Sequence, residues 1–211
     1  MIPGALVLLS APLDAPSWWH EVATELAAEG HPAVAPATTD RSPYGVSWVA
    51  ITAQALHLSA PRGPLVLVAH GTAGPLLPAL ARTQRPAGRR VGGFVFVDAT
   101  LPRPGPTTHL DLLRAADPDA ADAVHDALHE PHGSWPPDAA QPRDHEFWTA
   151  ALPAAIDWPD APCAYVTTGE ASPGCGDLGF WARSAAARGW PVTTGTDLPS
   201  TLAQVVASLP G

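Results

Sequence analysis

The stretch Val66-Leu67-Val68-Ala69-His70-Gly71-Thr72-Ala73-Gly74-Pro75-Leu76-Leu77-Pro78 decides the architecture. Pro64 precedes the continuous apolar run Leu65-Val66-Leu67-Val68, which reads as a strand buried on both faces. Ala69, Gly71, Ala73 and Gly74 are small enough to let backbones pass closely at a sharp turn. Pro75 suits the first turn of a helix, where a missing N–H is no loss. Strand, tight turn and helix therefore follow one another directly.

The same alternation extends outward in both directions. Gly4-Ala5-Leu6-Val7-Leu8-Leu9 reads as a first strand. A helix then opens with Ser17 as N-cap, carries Trp18, Val22 and Leu26 at intervals of four, and stops at Gly30. Residues 31–36 read as a second strand, and Trp48, Ile51, Ala55 and Leu58 mark a second helix. Gly93-Phe94-Val95-Phe96-Val97 is the fourth strand. From about residue 99 to 162 the rhythm stops. That segment is rich in Pro, Asp and His and holds helical stretches at 110–116, 120–129 and 145–155. Alternation resumes with a strand at 164–167, a helix carrying Leu178, Trp181 and Ala185, a strand at 190–194, and a closing helix with Leu202, Val205, Val206 and Leu209. The fold class is α/β: a mostly parallel sheet flanked by helices. Its core comprises residues 1–98 and 163–211, with a helical cap, 99–162, inserted after the fourth strand.

The 211 residues suit one domain. A formal charge of −9, with arginine as the only strong base, argues against nucleic-acid or anionic-membrane partners, which need clustered positive charge. No apolar run approaches the ~20 residues of a membrane span. The apolar start lacks a positive leader and reads as a strand, so a cytoplasmic protein is expected. Cys163 and Cys175 form neither a disulfide framework nor a metal motif. His125 and His129 lie four apart, with His132 beyond Pro131; a solvated helix face explains them better than a metal site. No metal or cofactor is expected. The expected partner is a small apolar or aromatic ligand, with a homodimer or a partner enzyme as alternatives.

Strand, sharp turn and helix are also the setting of a nucleophile elbow, G-x-S-x-G. Here the register is Ala69-x-Gly71-x-Ala73. Together with Gly93-Phe-Val-Phe-Val-Asp98-Ala-Thr-Leu-Pro102, Pro162-Cys-Ala-Tyr-Val166 and Ala187-Arg-Gly-Trp-Pro-Val192, the chain resembles the small actinobacterial branch of the α/β-hydrolase superfamily over nearly all of its length outside the cap. The resemblance implies a Ser-His-acid triad, and the sequence departs from it in three places. Gly71 stands at the nucleophile position and cannot form an acyl-enzyme. The loop after the last strand has Asp197 where relatives place their histidine base. Ser10-Ala11-Pro12 replaces the His-Gly pair of the oxyanion loop, and proline has no N–H to offer.

Loss of triad hydrolysis follows. The expected function is a repurposed, non-hydrolytic small-molecule enzyme of bacterial secondary metabolism, of cyclase, isomerase or lyase type. The alternatives are a non-catalytic binding or scaffold protein, and a hydrolase that activates water directly. Candidate catalytic residues are Asp197, Glu170 and Thr72. Asp197 is either an acid in an apolar pocket, raised in pKa by burial, or the N-cap of the last helix, and the cap is the favoured reading. Glu170 follows the fifth strand, where the triad acid would lie, with Asp177 behind it. Thr72 can offer a hydroxyl or a backbone N–H, although packing explains it more simply. Candidate substrate-binding residues are Ser10, Leu13, His70, Gly71, Asp98 and Trp148. The bare Gly71 would leave room above the elbow, Leu13 would supply an N–H, and Trp148 would line an apolar pocket. His70 is usually structural at this position, and Asp98 has hydrogen bonding of its loop as the simpler role.

Overall fold

Six parallel strands form one sheet in the order β2-β1-β3-β4-β5-β6. They are β1 (Ala5–Leu9), β2 (Ala33–Val34), β3 (Leu65–His70), β4 (Val91–Val97), β5 (Cys163–Thr167) and β6 (Val192–Thr194). The computed structural model describes residues 4–59, 63–129 and 133–210. Eight α-helices accompany the strands among these residues: α1 (His20–Ala28), α2 (Val46–Ser59), α3 (Leu77–Gln84), α4 (His109–Ala116), α5 (Pro118–His129), α6 (His145–Thr149), α7 (Leu178–Ala187) and α8 (Leu198–Ser208). No described helix is long and apolar enough to cross a membrane.

The central strands are buried on both faces, which is why they read as unbroken apolar runs. Alternate residues still choose opposite sides. Val7, Leu9, Leu67, Phe94, Phe96 and Tyr165 pack with Trp48, Leu56, Leu80 and Trp181 of α2, α3 and α7. Leu6, Leu8, Val66, Val68, Val95 and Val97 pack with Trp19, Leu26, Leu202 and Val206 on the α1 and α8 side. The segment between β4 and β5 contributes no strand to the sheet. Its helices α4, α5 and α6 enclose a third cluster with Leu110, Leu113, Val124, Phe147 and Trp148, and Leu13 of the β1 loop joins it.

Three helix expectations shift at their ends. The first helix starts at His20, not after Ser17, whose carbonyl instead accepts the His20 N–H. That turn sends Trp19 into the core while Trp18 stays half-buried. The helix expected over 145–155 ends at Thr149: Ala150 turns extended, Pro153 cannot continue a helix, and the Leu152 N–H goes to the Thr107 carbonyl. After β3 the chain first forms a 3₁₀ segment, Gly71–Leu76, and only then α3. The Thr100 carbonyl presses on it so closely that a Cβ at Gly74 would sit 2.0 Å away.

Candidate functional site

In a parallel sheet, ligands gather at the carboxyl ends of the strands where the order of connection reverses. Here β1 leads outward to β2, and β3 then returns to the other side of β1. The reversal lies between β1 and β3, so the loops after Leu9 and His70 face one crevice. That crevice holds a buried ionisable pair. His70 ends β3, and its Nδ1 lies 2.5 Å from Oδ2 of Asp14. Both residues are close to fully buried. A carboxylate oxygen can only accept, so Nδ1 carries the hydrogen, and in the neutral ring Nε2 carries the lone pair.

Asp14 is held for this role. Its Oδ2 also accepts the Ala11 N–H at 3.0 Å, which closes the β1 loop on itself. Arg143, from the β4–β5 segment, donates to the Pro12 carbonyl and to the Asp40 carbonyl. Gln141 beside it donates to the Asp14 carbonyl at 2.7 Å. Trp18 stacks on the imidazole at 4.0 Å with planes 17° apart, and Trp19 meets it edge-on. The ring is therefore fixed in position and in tautomer. It lines a cavity of about 230 Å³ together with Leu13, Asp14, Trp18, Asp138 and Glu170. That volume lies just below the range of drug-sized ligand sites.

The elbow itself is closed. Gly71 has φ +56°, the conformation of an elbow residue, and its carbonyl accepts the Thr100 N–H. Space for a side chain is gone: a Cβ there would lie 2.8 Å from Ser172 Oγ and 3.1 Å from Ala11 Cβ. The loop after β5 folds onto the turn and fills the expected room above Gly71. That loop brings Cys175 close to Gly71, but the thiol is fully buried and burial pushes it up to about 12. A protonated thiol is not a nucleophile, so Cys175 does not stand in for serine. Cys163 and Cys175 are both free thiols.

The structure brings three of the predicted residues, His70, Leu13 and Glu170, to the cavity. Thr72 is fully buried, with its methyl toward Gly174 and its hydroxyl without a protein partner among the described residues. Ser10 is buried at the end of β1. Trp148 is sealed in the third cluster against Leu13 and Phe147, and lines none of the cavities described in this structure. Asp98 is buried with φ +43°, and its carboxylate takes both the N–H and the hydroxyl of Thr168, tying the end of β4 to β5. Burial raises its pKa, and the Thr168 bonds oppose that. Asp177 caps α7 through the Gly179 N–H and pairs with Arg183.

Asp197 takes the N-cap role that the sequence favoured over a catalytic one. It is exposed and caps α8, accepting the Ser200 N–H at 3.3 Å. Gly195 is pinned by the Thr167 carbonyl and by Thr201, so the chain turns into α8 before it can reach the crevice. Asp197→Ala should cost about 0.5–2 kcal/mol in chemical denaturation, the usual effect of losing a cap, and should leave ligand binding in the His70 cavity unchanged. His125 and His129 lie ring to ring at 4.2 Å, and His129 Nδ1 bonds to the His125 carbonyl. His132 lies outside the described residues. No group of three metal-binding side chains occurs among those described.

Sequence reasoning missed Asp14. The one signal available was its place in the loop after the first strand, beside the reversal of strand order.

No family model and no curated relative matches the sequence. Solved structures do match it. An extracellular α/β-hydrolase from a Paenibacillus species, described as sharing structural and functional homology with tobacco salicylic acid binding protein 2, superposes with a TM-score of 0.70 at 15% identity, over 98% of this chain and 99% of its own. A pyrethroid hydrolase from Sphingobium faniae gives 0.62 at 16%, over 97% and 96%. A variant of tomato methylketone synthase I in complex with β-ketoheptanoate gives 0.62 at 10%, over 98% and 99%. The chain has the α/β-hydrolase fold.

Proposed function

We propose that this chain is a small-molecule enzyme of the α/β-hydrolase fold that moves a proton with His70 and forms no acyl-enzyme. The reaction is non-hydrolytic, of the isomerase, cyclase or lyase type. One observation carries the reading: a buried Asp14–His70 pair lines a solvent-reachable cavity beside the turn at Gly71, which carries no side chain. Asp14 holds the imidazole by Nδ1 and stabilises the imidazolium that forms when Nε2 takes a proton. Glu170 and Asp138 line the same cavity, and a carboxylate there is a group able to hold or return that proton. Leu13 and Trp18 supply apolar walls for a ligand. The fold is compatible with such a role, since one protein that shares it is named a synthase and binds a β-keto acid.

Exchange of acidic C–H groups tests this without knowledge of the product. A panel of small ketones and β-keto acids is incubated with the protein in deuterium oxide and followed by NMR. Deuterium should enter at least one compound at the carbon beside the carbonyl. The exchange should fall at least tenfold in His70→Gln and in Asp14→Asn, within the usual share of a positioned acid–base group. Exchange unchanged in His70→Gln, or absent across the panel, sinks the proposal. The filled space above Gly71 supports a second reading, a protein that binds a ligand in the His70 cavity without turning it over. Binding of a panel compound without exchange would establish that reading.

A further inference from the structure

A second hollow of about 300 Å³ lies on the α7 side of the sheet, away from the His70 cavity. Its walls are Trp158, Trp190, Pro102 and Pro159, and Arg188 is the one ionisable residue that lines it. The indoles are preset. Trp190 stacks on Phe96 at 5.4 Å with planes 13° apart, and Trp158 meets Trp190 edge-on at 5.5 Å. Walls that need no ordering on binding cost little entropy.

Arg188 is the C-cap of α7, and a helix C-terminus favours a cation. That accounts for its charge but not for its pose. The guanidinium lies over the Trp190 ring, 5.1 Å from its centroid, and one nitrogen donates to the Pro102 carbonyl at 3.1 Å. The remaining N–H groups have no carboxylate partner among the described residues. Arg103 approaches closely enough for its charge to oppose that of Arg188, and it lines the adjoining groove with Arg114. Asp111, the carboxylate of that groove, is committed to Thr108 at the start of α4. Asp160 is taken by Arg85. A chain of net charge −9 thus gathers three arginines without acidic partners beside a tryptophan-lined hollow.

We propose that this hollow binds a planar aromatic carboxylate, its ring against Trp158 and the prolines and its carboxylate on Arg188. Phe96 stacks on the Trp190 ring and the Arg188 guanidinium lies over it, so a flat apolar ring packs on Trp158 and the prolines beside them. The guanidinium, held by one N–H and by the Trp190 face, presents its other donors to a carboxylate in fork geometry. Arg103 near it adds attraction for an anion.

Calorimetric titration with 1-naphthoate, paired with quenching of tryptophan fluorescence, tests this. Neutral 1-naphthalenemethanol is the control. Naphthoate should bind, and the alcohol should bind about tenfold more weakly or worse. Arg188→Gln should weaken naphthoate about ten- to a hundredfold, the worth of a charge-assisted contact, and leave the alcohol unchanged. Arg188 is exposed, and a matching thermal unfolding curve would show that the variant folds. Arg103→Gln is the second variant and should weaken naphthoate by a smaller factor. Equal affinity for acid and alcohol overturns the proposal. So does an Arg188→Gln variant that binds naphthoate as tightly as the parent, or no binding of naphthoate at millimolar concentration. Loss of naphthoate binding in His70→Gln would place the probe in the other cavity and overturns it equally.

Discussion

Gly71→Ser makes a less stable protein and no esterase. The elbow backbone already has the right shape, with φ +56° at Gly71. A serine there accepts a left-handed conformation that costs a non-glycine residue on the order of 1–3 kcal/mol. In hydrolases of this fold that strain is tolerated because the side chain has space. Here its Cβ meets Ser172 Oγ at 2.8 Å and Ala11 Cβ at 3.1 Å; the Ala11 methyl is fixed to the backbone, and turning the Ser172 hydroxyl away gives up its contact with the Cys175 thiol. Overpacking of this kind adds about 1–3 kcal/mol. The sum is roughly 2–6 kcal/mol, and a chain of this length loses about 2–4 °C in Tm for each kcal/mol. A fall of roughly 4–24 °C by calorimetry is expected. Hydrolysis of 4-nitrophenyl acetate should stay at background, and adding Asp197→His should not change that, because residue 197 sits at the solvent-facing start of α8. Wild-type stability together with measurable ester turnover would show that the loop after β5 moves aside, and that the elbow is still a working site.

The fate of Gly71 shows what the sequence makes legible and what it hides. Burial on both faces writes itself into unbroken runs such as Leu65-Val66-Leu67-Val68, and a missing side chain is visible as a letter. The fold and the vacant nucleophile position follow from local chemistry of that kind. Pairings across the chain do not. Asp14 and His70 are 56 residues apart, and the loop that aims Asp14 is fastened by Arg143, 131 residues from the Pro12 carbonyl it grips. Nothing near Asp14 in sequence records either contact. Asp197 fails for a related reason. Its position matched that of a base in relatives, but the tight packing of Gly195 on Thr201 turns the chain into α8 early and leaves the carboxylate in water. Trp148, expected to line a pocket, does not, and Trp190 does. The first is sealed in the cluster around α6, and the second lines an open hollow, because the cluster and the hollow depend on how the β4–β5 segment docks.

Acid should loosen this protein through one residue, His109. It opens α4, directly after the Thr108–Asp111 capping box that fixes the helix start. Its ring stacks on Phe147 at 4.4 Å and meets Trp148 edge-on, and neither nitrogen has a protein partner among the described residues. Burial alone pushes its pKa down to about 3. The sign follows from which state takes the proton first. In the unfolded chain the imidazole titrates near 6.5, so between about pH 6.5 and pH 3 the unfolded state binds the extra proton and gains on the folded one. Stability from this site is complete above that window and is lost as the pH falls through it. Between pH 7 and pH 4 the loss amounts to about 3 kcal/mol. Asp40 and Asp98 act in the opposite direction, because burial raises both and the folded state then takes up their protons first. The net acid slope of the wild type is therefore smaller than the His109 contribution. His109→Leu removes the titration, nearly preserves the volume and deletes two unpartnered nitrogens. Urea unfolding at pH 7, 5.5 and 4 should show the wild type losing ground on the variant at each step, with a gap of about 3 kcal/mol opening by pH 4. Parallel acid slopes in the two proteins would mean that His109 finds a partner or reaches water in solution. Near-ultraviolet dichroism places the event: His109 touches Phe147 and Trp148, so the tryptophan signal of that cluster should fade at a pH where the sheet is still intact.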